Sequence, residues 1–276
     1  MKPLPGRPEA ARFPAACYAW LAMLSPEHLN LLRRAELETV LPKLRPHARV
    51  LEIGAGTGQQ ALELSRRGFD VAAVDLPGST YAAERVFPIV DYDGARLPFA
   101  DASFDAVFSS NVLEHIRDLA GMHREVRRVL KPGGTCVHIL PTHAWRFWTM
   151  VSSFPNAAVY LWRAVKATVT PAQAGKARRA WREALGQTAQ LRQPRHGERG
   201  IGLLELWLFH PRWWRCHFAA HGFALAGDEP VGIFYTGHML MWSRWGIAER
   251  RRLAWWLGSG SHLYVLERGG RPGETR

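Results

Sequence analysis

The sequence has few cysteines and no long apolar run. Its three cysteines, Cys17, Cys136 and Cys216, are odd in number and far apart, so no disulfide framework is expected and the cytoplasm is the expected compartment. No apolar run reaches the 18 residues of a membrane-spanning helix, and the N-terminal stretch lacks a signal-peptide layout. The cysteines and histidines also lack the spacing of metal ligands, so no metal is expected.

Charge and tryptophan are distributed unevenly along the 276 residues. Residues 1–140 carry 17 Lys+Arg against 16 Asp+Glu, whereas residues 141–276 carry 19 against 8. Of the 12 tryptophans only Trp20 lies in the first part, and the basic part has only two lysines, Lys166 and Lys176. The chain therefore divides into a neutral layer and a basic, tryptophan-rich layer.

Strand and helix patterns alternate over the neutral layer. "VLEIGAGTGQQALELSRRGFDVAAVD" predicts strand, glycine loop, helix and strand, and "FPIVDYD", "FDAVFSSN" and "TCVHILP" are further strand candidates. "LAGMHREVRRVLKPGG" predicts a helix that ends at its proline and glycines, and "SHLYVLERGG" predicts a last strand. Such alternation indicates an α/β sandwich with a largely parallel sheet. We expect an arm and helix over residues 1–44, a sheet core over 45–140, an insertion over 141–205, and completion of the sheet over 206–276.

A glycine loop follows the first strand of the core. Gly54, Gly56 and Gly58 are spaced for a tight turn whose backbone N–H groups can approach a ligand. Glu52 lies within the strand before the loop, and Asp75 ends the next strand, where a carboxylate can accept hydrogen bonds from two ribose hydroxyls. The pattern predicts a nucleoside-containing cofactor.

Together with "VDL", "DGARLPFADASFDAVFSSNVLEHIRD" and "LKPGG", this loop resembles the class I S-adenosylmethionine-dependent methyltransferases, particularly their small-molecule branch that includes quinone-biosynthesis enzymes. The resemblance covers roughly residues 45–140. It implies a Rossmann-like, seven-stranded, mostly parallel sheet with helices on both faces, an antiparallel last strand and a helical insertion after the fifth strand. It also implies S-adenosyl-L-methionine as the cofactor. A nicotinamide cofactor is disfavoured because "LPFADASFD" has no counterpart in the dinucleotide fingerprint.

The resemblance assigns the cofactor residues by position. The loop from Gly54 to Gly58 would pass under the methionine part, Asp75 would hold the ribose, and Asp93 would bind the adenine amino group, with Asp91 as a rival on the same strand face. Pro77 and Gly78 depart from the family's pattern in the turn after Asp75. The full set of expected cofactor residues is Glu52, Gly54, Ala55, Gly56, Gly58, Asp75, Leu76, Asp93, Gly94 and Asn111.

Two histidines are candidate catalytic bases. His115 lies one turn beyond Asn111, near the expected methyl group, and His143 follows the fifth strand. Each also has a plain structural interpretation, as a packing or capping residue for His115 and as a solvent-facing loop residue for His143. Three residues of the insertion could reach the same site if it folds over the sheet: His196, Glu198 and Glu205.

The basic layer should bind the methyl acceptor. Trp145/Trp148 and Trp213/Trp214, with Arg146, Arg212 and Arg215, could form a sugar-stacking pocket with cations for phosphate, or lie at a membrane interface, or serve as core and solvated surface. The leading prediction is an O-methyltransferase for a sugar or a lipid-linked, anionic saccharide, peripheral to the inner membrane face. The alternatives are a quinone or phenolic-lipid methyltransferase, an RNA-binding protein or RNA methyltransferase, and a non-catalytic cofactor-binding protein. Nucleic acid is the less favoured partner because no RNA-binding signature is present.

Overall fold

The computed structural model describes residues 26–79, 81–170, 175–238 and 245–269. The predicted N-terminal arm falls almost entirely outside these residues. Seven strands belong to one sheet: β1 (Arg49–Ile53), β2 (Asp70–Asp75), β3 (Val90–Asp91), β4 (Phe104–Ser110), β5 (Leu130–Pro141), β6 (Phe223–Pro230) and β7 (Ser261–Arg268). Their order is β3-β2-β1-β4-β5-β7-β6.

The first five strands are parallel, and β7 inserts antiparallel between β5 and β6. The mostly parallel, Rossmann-like sheet with an antiparallel last strand is therefore confirmed. Strand order reverses at β1, with β2 on one side and β4 on the other, so the carboxyl ends of β1, β2 and β4 frame the crevice in which open α/β sheets bind ligands.

Helices cover both faces of the sheet. They are α1 (Pro26–Val40), α2 (Gln59–Arg66), α3 (Leu119–Val129), α4 (His143–Val169), α5 (Ala177–Ala189), α6 (Glu205–Leu208), α7 (Pro211–Ala220) and α8 (Ile247–Leu257). Successive residues of β1 face opposite cores, because Val50 packs with Leu32 of α1 while Leu51 packs with Trp214 and Phe218 of α7. Burial on both faces explains why the strands read as continuous apolar runs.

The helix predicted over "LAGMHREVRRVLKPGG" is present, but it ends before the proline and glycines that were expected to end it. α3 ends at Val129, and Leu130 already pairs with Phe104 as the first residue of β5. The register then shifts before Ala106 pairs with Thr135, so Pro132 and Gly133 occupy an irregularity in the ladder instead of a helix end. The side chain of Leu130 is fully buried, and this core contact outweighs the local turn signal.

Candidate functional site

Three glycines form the loop between β1 and α2 with left-handed backbone angles. The φ values of Gly54, Gly56 and Gly58 are +72°, +59° and +79°. A Cβ on Gly54 would lie 2.4 Å from Val112 Cγ2, and one on Gly58 would lie 2.7 Å from Phe87 Cβ. Conformation and close packing therefore both require glycine here, and the loop's backbone is left exposed to a ligand at the sheet edge.

The carboxylate of Asp75, at the end of β2, faces this loop. Asp75 Oδ2 accepts a hydrogen bond of 2.9 Å from the Gly56 N–H, and Oδ1 accepts one of 2.8 Å from the Leu76 N–H. The side chain of Leu76 in turn lies against Gly94, whose added Cβ would be 3.0 Å from Leu76 Cδ2. The structure thus brings four of the expected cofactor residues into one neighbourhood.

Glu52 lies beneath the loop with its side chain buried. Burial raises the pKa of Glu52 to about 8, although the Ala61 N–H donates to it and the nearby charge of Asp75 adds to the increase. Its Oε2 has no hydrogen-bond partner among the described residues. A buried polar atom of this kind is available to a ligand that reaches the loop.

The carboxylates of Asp91 and Asp93 accept hydrogen bonds from different kinds of donor. Asp91 Oδ1 accepts a hydrogen bond of 2.7 Å from the Arg85 guanidinium. Asp93 Oδ1 instead accepts from the backbone N–H groups of Arg96 and Ala95, and these bonds lower the pKa of Asp93. Among the described residues, Asp93 is hydrogen-bonded only by backbone N–H groups and its Oδ2 has no partner, although the Arg96 charge also helps to lower its pKa. This makes Asp93 the better hydrogen-bond acceptor for an amino group.

Asn111 closes the same crevice at the end of β4. It has φ of +56°, which is unusual for a residue with a side chain, and its N–H donates to the Ile139 carbonyl at 2.8 Å. The next residue, Val112, is the one that packs against Gly54. The turn after β4 is thereby held directly over the glycine loop.

A second group of polar side chains lies just beyond this turn. The rings of His115 and His196 meet edge to face with centroids 4.7 Å apart, and Trp145 lies 4.7 Å from His196. His115 Nε2 lies 3.8 Å from Glu114 Oε1. Burial lowers the pKa of His115 to about 4 and that of His196 well below its ordinary value, so both imidazoles are neutral at physiological pH.

Glu114 is the fully buried acid of this group. Burial raises the pKa of Glu114 to about 8, despite the opposing effect of the Arg33 and Arg199 guanidiniums. The ligand atoms of Glu114, His115 and His196 lie within 4.8 Å of one another, as three metal ligands would. The two neighbouring guanidiniums oppose a divalent cation at this position, so the group is better suited to handling a proton.

Charged side chains and a backbone hydrogen bond hold the end of the insertion (residues 141–205) against the turn after β4. Arg199 donates to the Ile116 and Leu113 carbonyls at 3.0 and 3.3 Å, and the Glu198 N–H donates to the Glu114 carbonyl at 2.9 Å. Glu205 Oε1 accepts from the N–H groups of His196 and Gly197, both at 2.6 Å. These bonds place His196 beside His115.

Comparisons with known proteins agree with this geometry. Residues 51–138 match the family model described as a methyltransferase domain. The demethylmenaquinone methyltransferase of Corynebacterium efficiens is 35% identical over 147 residues, which is 45% of this chain and 62% of the relative. That of Mycolicibacterium gilvum is 36% identical over 166 residues, which is 53% of this chain and 71% of the relative. The chain belongs to the class I S-adenosylmethionine-dependent methyltransferases.

The fold of this methyltransferase is shared more widely than its sequence. A solved S-adenosylmethionine-dependent methyltransferase from Aquifex aeolicus superposes with a TM-score of 0.51 and 14% identity, over 92% of this chain and 99% of that chain. S-adenosylmethionine is the cofactor, and the left-handed glycine loop, the Asp75 carboxylate and the orphaned Glu52 oxygen at the sheet edge fit it.

The two candidate bases, His115 and His143, have different neighbours in the structure. His143 is the first residue of α4, and its ring lies 4.6 Å from that of His210, while His115 contacts His196. The pKa of His143 is lowered by partial burial and by the nearby His210 and His262. Its neighbours thus belong to the β5–β7 side of the sheet, away from the Glu114 group.

Most of the residues predicted for a sugar-stacking pocket make other contacts. Trp214 is fully buried against Phe218, and the Trp148 indole donates to the Leu257 carbonyl at 2.9 Å. Arg146 is buried with Glu205 at 3.0 Å and Arg215 pairs with Asp228 at 2.6 Å, whereas Arg212 is exposed. These contacts favour the alternative in which such side chains serve as core and solvated surface.

Sequence reasoning missed three residues of the site: Arg33, Tyr81 and Glu114. The Tyr81 ring lies 3.5 Å from where a Cβ of Gly56 would be, and the Arg33 carbonyl accepts from Gln60 of α2 at 3.4 Å. Glu114 belongs to the motif "SSNVLEHIRD", so the sequence could have predicted that it lies near the site. Nothing local in the sequence marks Arg33 or Tyr81, because their nearness to the site depends on tertiary packing.

Proposed function

We propose that this methyltransferase methylates a ring carbon of a reduced quinone, that is, a hydroquinone. The observation that carries the proposal is the aromatic character of the acceptor side, where His115 and His196 lie beside the buried carboxyl group of Glu114 and Trp145 contacts His196. Such a lining suits an uncharged ring. The relatives named above as demethylmenaquinone methyltransferases support the same acceptor class and favour it over the predicted sugar hydroxyl.

An uncharged quinone needs little positive charge around it, whereas residues 141–276 carry 19 Lys+Arg against 8 Asp+Glu. In the structure, much of that charge lies on outer surfaces: Arg163, Lys166, Arg178, Arg179 and Arg182 are all exposed. The acceptor side is therefore less cationic than the composition predicts. The exposed guanidiniums nearest in sequence to His115 and His196, those of Arg117 and Arg195, both face the Glu198 carboxylate, at 3.0 and 3.7 Å.

The chemistry requires the reduced acceptor. When bound, S-adenosylmethionine supplies an electrophilic methyl group on its sulfonium sulfur. A hydroquinone ring carbon is electron-rich and can attack it, whereas a quinone carbon is itself electrophilic. The new bond joins the methyl group to the ring, the sulfur–methyl bond breaks to release S-adenosylhomocysteine, and the ring loses one proton.

We assign the proton-accepting role to His115. Its imidazole is neutral, as a base must be before it accepts a proton, and a neutral ring does not repel a sulfonium. His196 and Trp145 hold its orientation, and Glu114 lies within 3.8 Å of its Nε2. The protein otherwise contributes proximity and exclusion of water, which can supply much of the rate in a displacement of this kind.

On the cofactor side we propose that Asp75 binds the ribose hydroxyls, Asp93 the adenine amino group, and Glu52, Ala55 and the loop glycines the methionine end. Asp91 is the weaker candidate for adenine because Arg85 already occupies it. Asn111 would complete the methionine end from the β4 side. Leu76 and Gly94 contact each other and would form the apolar floor between ribose and adenine.

A panel of acceptors tests the proposal. Purified protein is incubated with S-adenosylmethionine and, separately, a prenylated naphthohydroquinone kept reduced by borohydride, its oxidised quinone, and a nucleotide-sugar mixture. We expect release of S-adenosylhomocysteine only with the hydroquinone. Turnover with the sugars and none with the hydroquinone would contradict the assignment.

A further inference from the structure

The outer face of α4 carries an apolar stripe. Seven exposed residues follow one another at intervals of three or four: Phe147, Val151, Phe154, Ala158, Trp162, Val165 and Val169. At 3.6 residues per turn they fall within about 80° of the helix circumference and extend for about 33 Å. Phe154 and Trp162 are each 61% exposed, and Val169 is 72% exposed. A stripe of this length has the pattern of an interaction surface.

The inward face of α4 is the more polar one. Thr149, Ser153 and Asn156 are buried there, and Asn156 donates to Gln187 of α5 at 2.7 Å. The helix is thus inverted relative to an ordinary surface helix, whose apolar side faces the core. Among the residues that the structure describes, none covers the stripe, which is therefore open to a partner.

Helix α5 extends the same surface. Trp181 and Leu185, one turn apart, are 39% and 63% exposed, and the Trp181 indole donates to Thr168 at 3.0 Å, next to the end of the stripe. Together the two helices form a hairpin with an apolar outer side. We call the stripe with Trp181 and Leu185 the hairpin surface.

The charges around the hairpin surface are almost all of one sign. Residues 143–190 contain a single acid, Glu183, which pairs with Arg179 at 2.9 Å. The exposed bases beside the surface are Arg163, Lys166, Lys176, Arg178, Arg179 and Arg182. The Lys166 ammonium lies 5.1 Å from the Trp162 ring, an arrangement that keeps the cation at the edge of the apolar stripe.

We propose that the hairpin surface docks on the headgroup layer of an anionic membrane. An apolar stripe with tryptophan, bordered by arginine and lysine, fits an interface whose interior is apolar and whose surface is negative. A second copy of the chain fits less well, because pairing two such surfaces would bring like charges together. The part of the chain that the structure describes contains no helix able to cross a bilayer, so the contact is peripheral.

If the proposed function is correct, docking of the hairpin surface would bring the acceptor side of the site close to the membrane. At the start of α4, Trp145 faces His196 while Phe147, two residues later, faces outward. Membrane contact along the stripe therefore holds the acceptor side of the site close to the bilayer, where the prenyl tail of a hydroquinone would reside.

Vesicle co-sedimentation of the full chain, without cofactor or acceptor, tests the docking independently of the activity. We expect binding to phosphatidylglycerol/phosphatidylcholine vesicles at least about tenfold tighter than to phosphatidylcholine alone, and weaker with added salt. The double variant Phe154→Ser/Trp162→Ser should bind at least about tenfold more weakly. The matched control Leu31→Ser/Leu225→Ser, at two other exposed apolar positions, should bind as the wild type does.

Thermal midpoints of all variants should match the wild type, because the changed side chains are exposed. Wild-type protein that stays in the supernatant with anionic vesicles would overturn the proposal, as would an equal loss of binding in the control. A concentration-dependent dimer that the Phe154→Ser/Trp162→Ser change abolishes, without vesicle binding, would instead identify the surface as a contact between copies and would also overturn it.

Discussion

Glu52 and Asp75 lie at the ends of neighbouring strands, and their carboxyl groups have opposite environments. Asp75 accepts two backbone N–H groups and remains at the edge of the crevice, whereas Glu52 is buried with one oxygen that no described residue contacts. The two carboxyl groups are therefore suited to different roles in cofactor binding. Asp75 offers acceptor sites to hydroxyl groups, while Glu52, with its pKa raised to about 8 by burial, can carry a proton at neutral pH.

The change Asp75→Ala should weaken cofactor binding by about 1–3 kcal/mol, because ribose hydroxyls and the Gly56 N–H lose their acceptor. Isothermal titration calorimetry with S-adenosylhomocysteine measures the effect. Asp101→Ala is the matched control, since Asp101 forms an exposed ion pair with Arg128 outside the proposed cofactor residues and should change the affinity by less than about 0.5 kcal/mol. Equal losses in both variants would exclude the ribose assignment.

The change His115→Gln should lower kcat by roughly a hundredfold while cofactor affinity stays the same, because the variant retains polarity but cannot take the proton. His143→Gln, at the ring that contacts His210, should turn over at close to the wild-type rate. Initial rates with hydroquinone and calorimetry on the same samples separate the two effects. If His143→Gln were the slower enzyme, His115 would not be the base.

At the scale of elements, the site depends on the turn after β4 and on the insertion that covers it. Arg199 donates hydrogen bonds to the carbonyls of Leu113 and Ile116 in this turn. Glu205 accepts a hydrogen bond from the His196 N–H and so positions the loop that carries His196. α4 is anchored at its first turn, where the Thr142 hydroxyl donates to the Ser259 carbonyl at 2.5 Å and accepts from the Trp145 N–H at 3.1 Å. This cap fixes Trp145, and through it the acceptor side.

Removing the cap tests how much α4 depends on it. Thr142→Ala should lower the free energy of unfolding by about 1–2 kcal/mol, because a buried carbonyl and a helix N–H lose their partner together. Urea unfolding monitored by circular dichroism gives the value. Thr188→Ala, whose hydroxyl only bonds within its own helix, should cost less than about 0.5 kcal/mol. A larger loss at Thr188 than at Thr142 would contradict this view of α4.

The strands of the neutral layer, and the location of the expected cofactor residues at their carboxyl ends, could be predicted because local motifs carry them. The glycine loop, Asp75 and Asp93 each stand directly after a strand, and the carboxyl ends of parallel strands share one edge. The start of β5 and the proximity of His196 to His115 depend on burial of Leu130 and on the buried ions of the insertion. These are contacts between residues distant in sequence, and no local pattern specifies them.

At the scale of the whole molecule, buried titratable groups make stability depend on pH. Burial lowers the pKa of nine of the described histidines: His28, His115, His123, His138, His143, His196, His217, His238 and His262. Below the unfolded pKa of about 6.5 the unfolded chain binds more protons at these positions than the folded chain, so stability falls as the pH falls. Glu52 and Glu114 act in the opposite sense, because their raised pKa makes the folded chain bind more protons between about pH 4.5 and 8.

The histidines outnumber the two acids, so we expect the free energy of unfolding to decrease from pH 6.5 to 5.5. It should also decrease from pH 6.5 to 8, where the two glutamic acids lose their protons. Urea titrations at the three pH values measure both limbs. The Glu114→Gln variant should lose less free energy of unfolding than the wild type between pH 6.5 and 8. A free energy of unfolding that keeps rising from pH 6.5 to 8 would show that the buried acids are ionised in the folded protein.

If the aromatic acceptor side beside the cofactor residues directs the methyl group to a hydroquinone carbon, the position of the new methyl group shows it. ¹³C NMR locates this group in the product formed from S-adenosylmethionine labelled in its methyl group and a prenylated naphthohydroquinone. We expect a labelled methyl signal typical of an aryl carbon–methyl bond, coupled to the ring carbon beside the prenyl chain. A signal typical of an oxygen-bound methyl group would contradict this proposal.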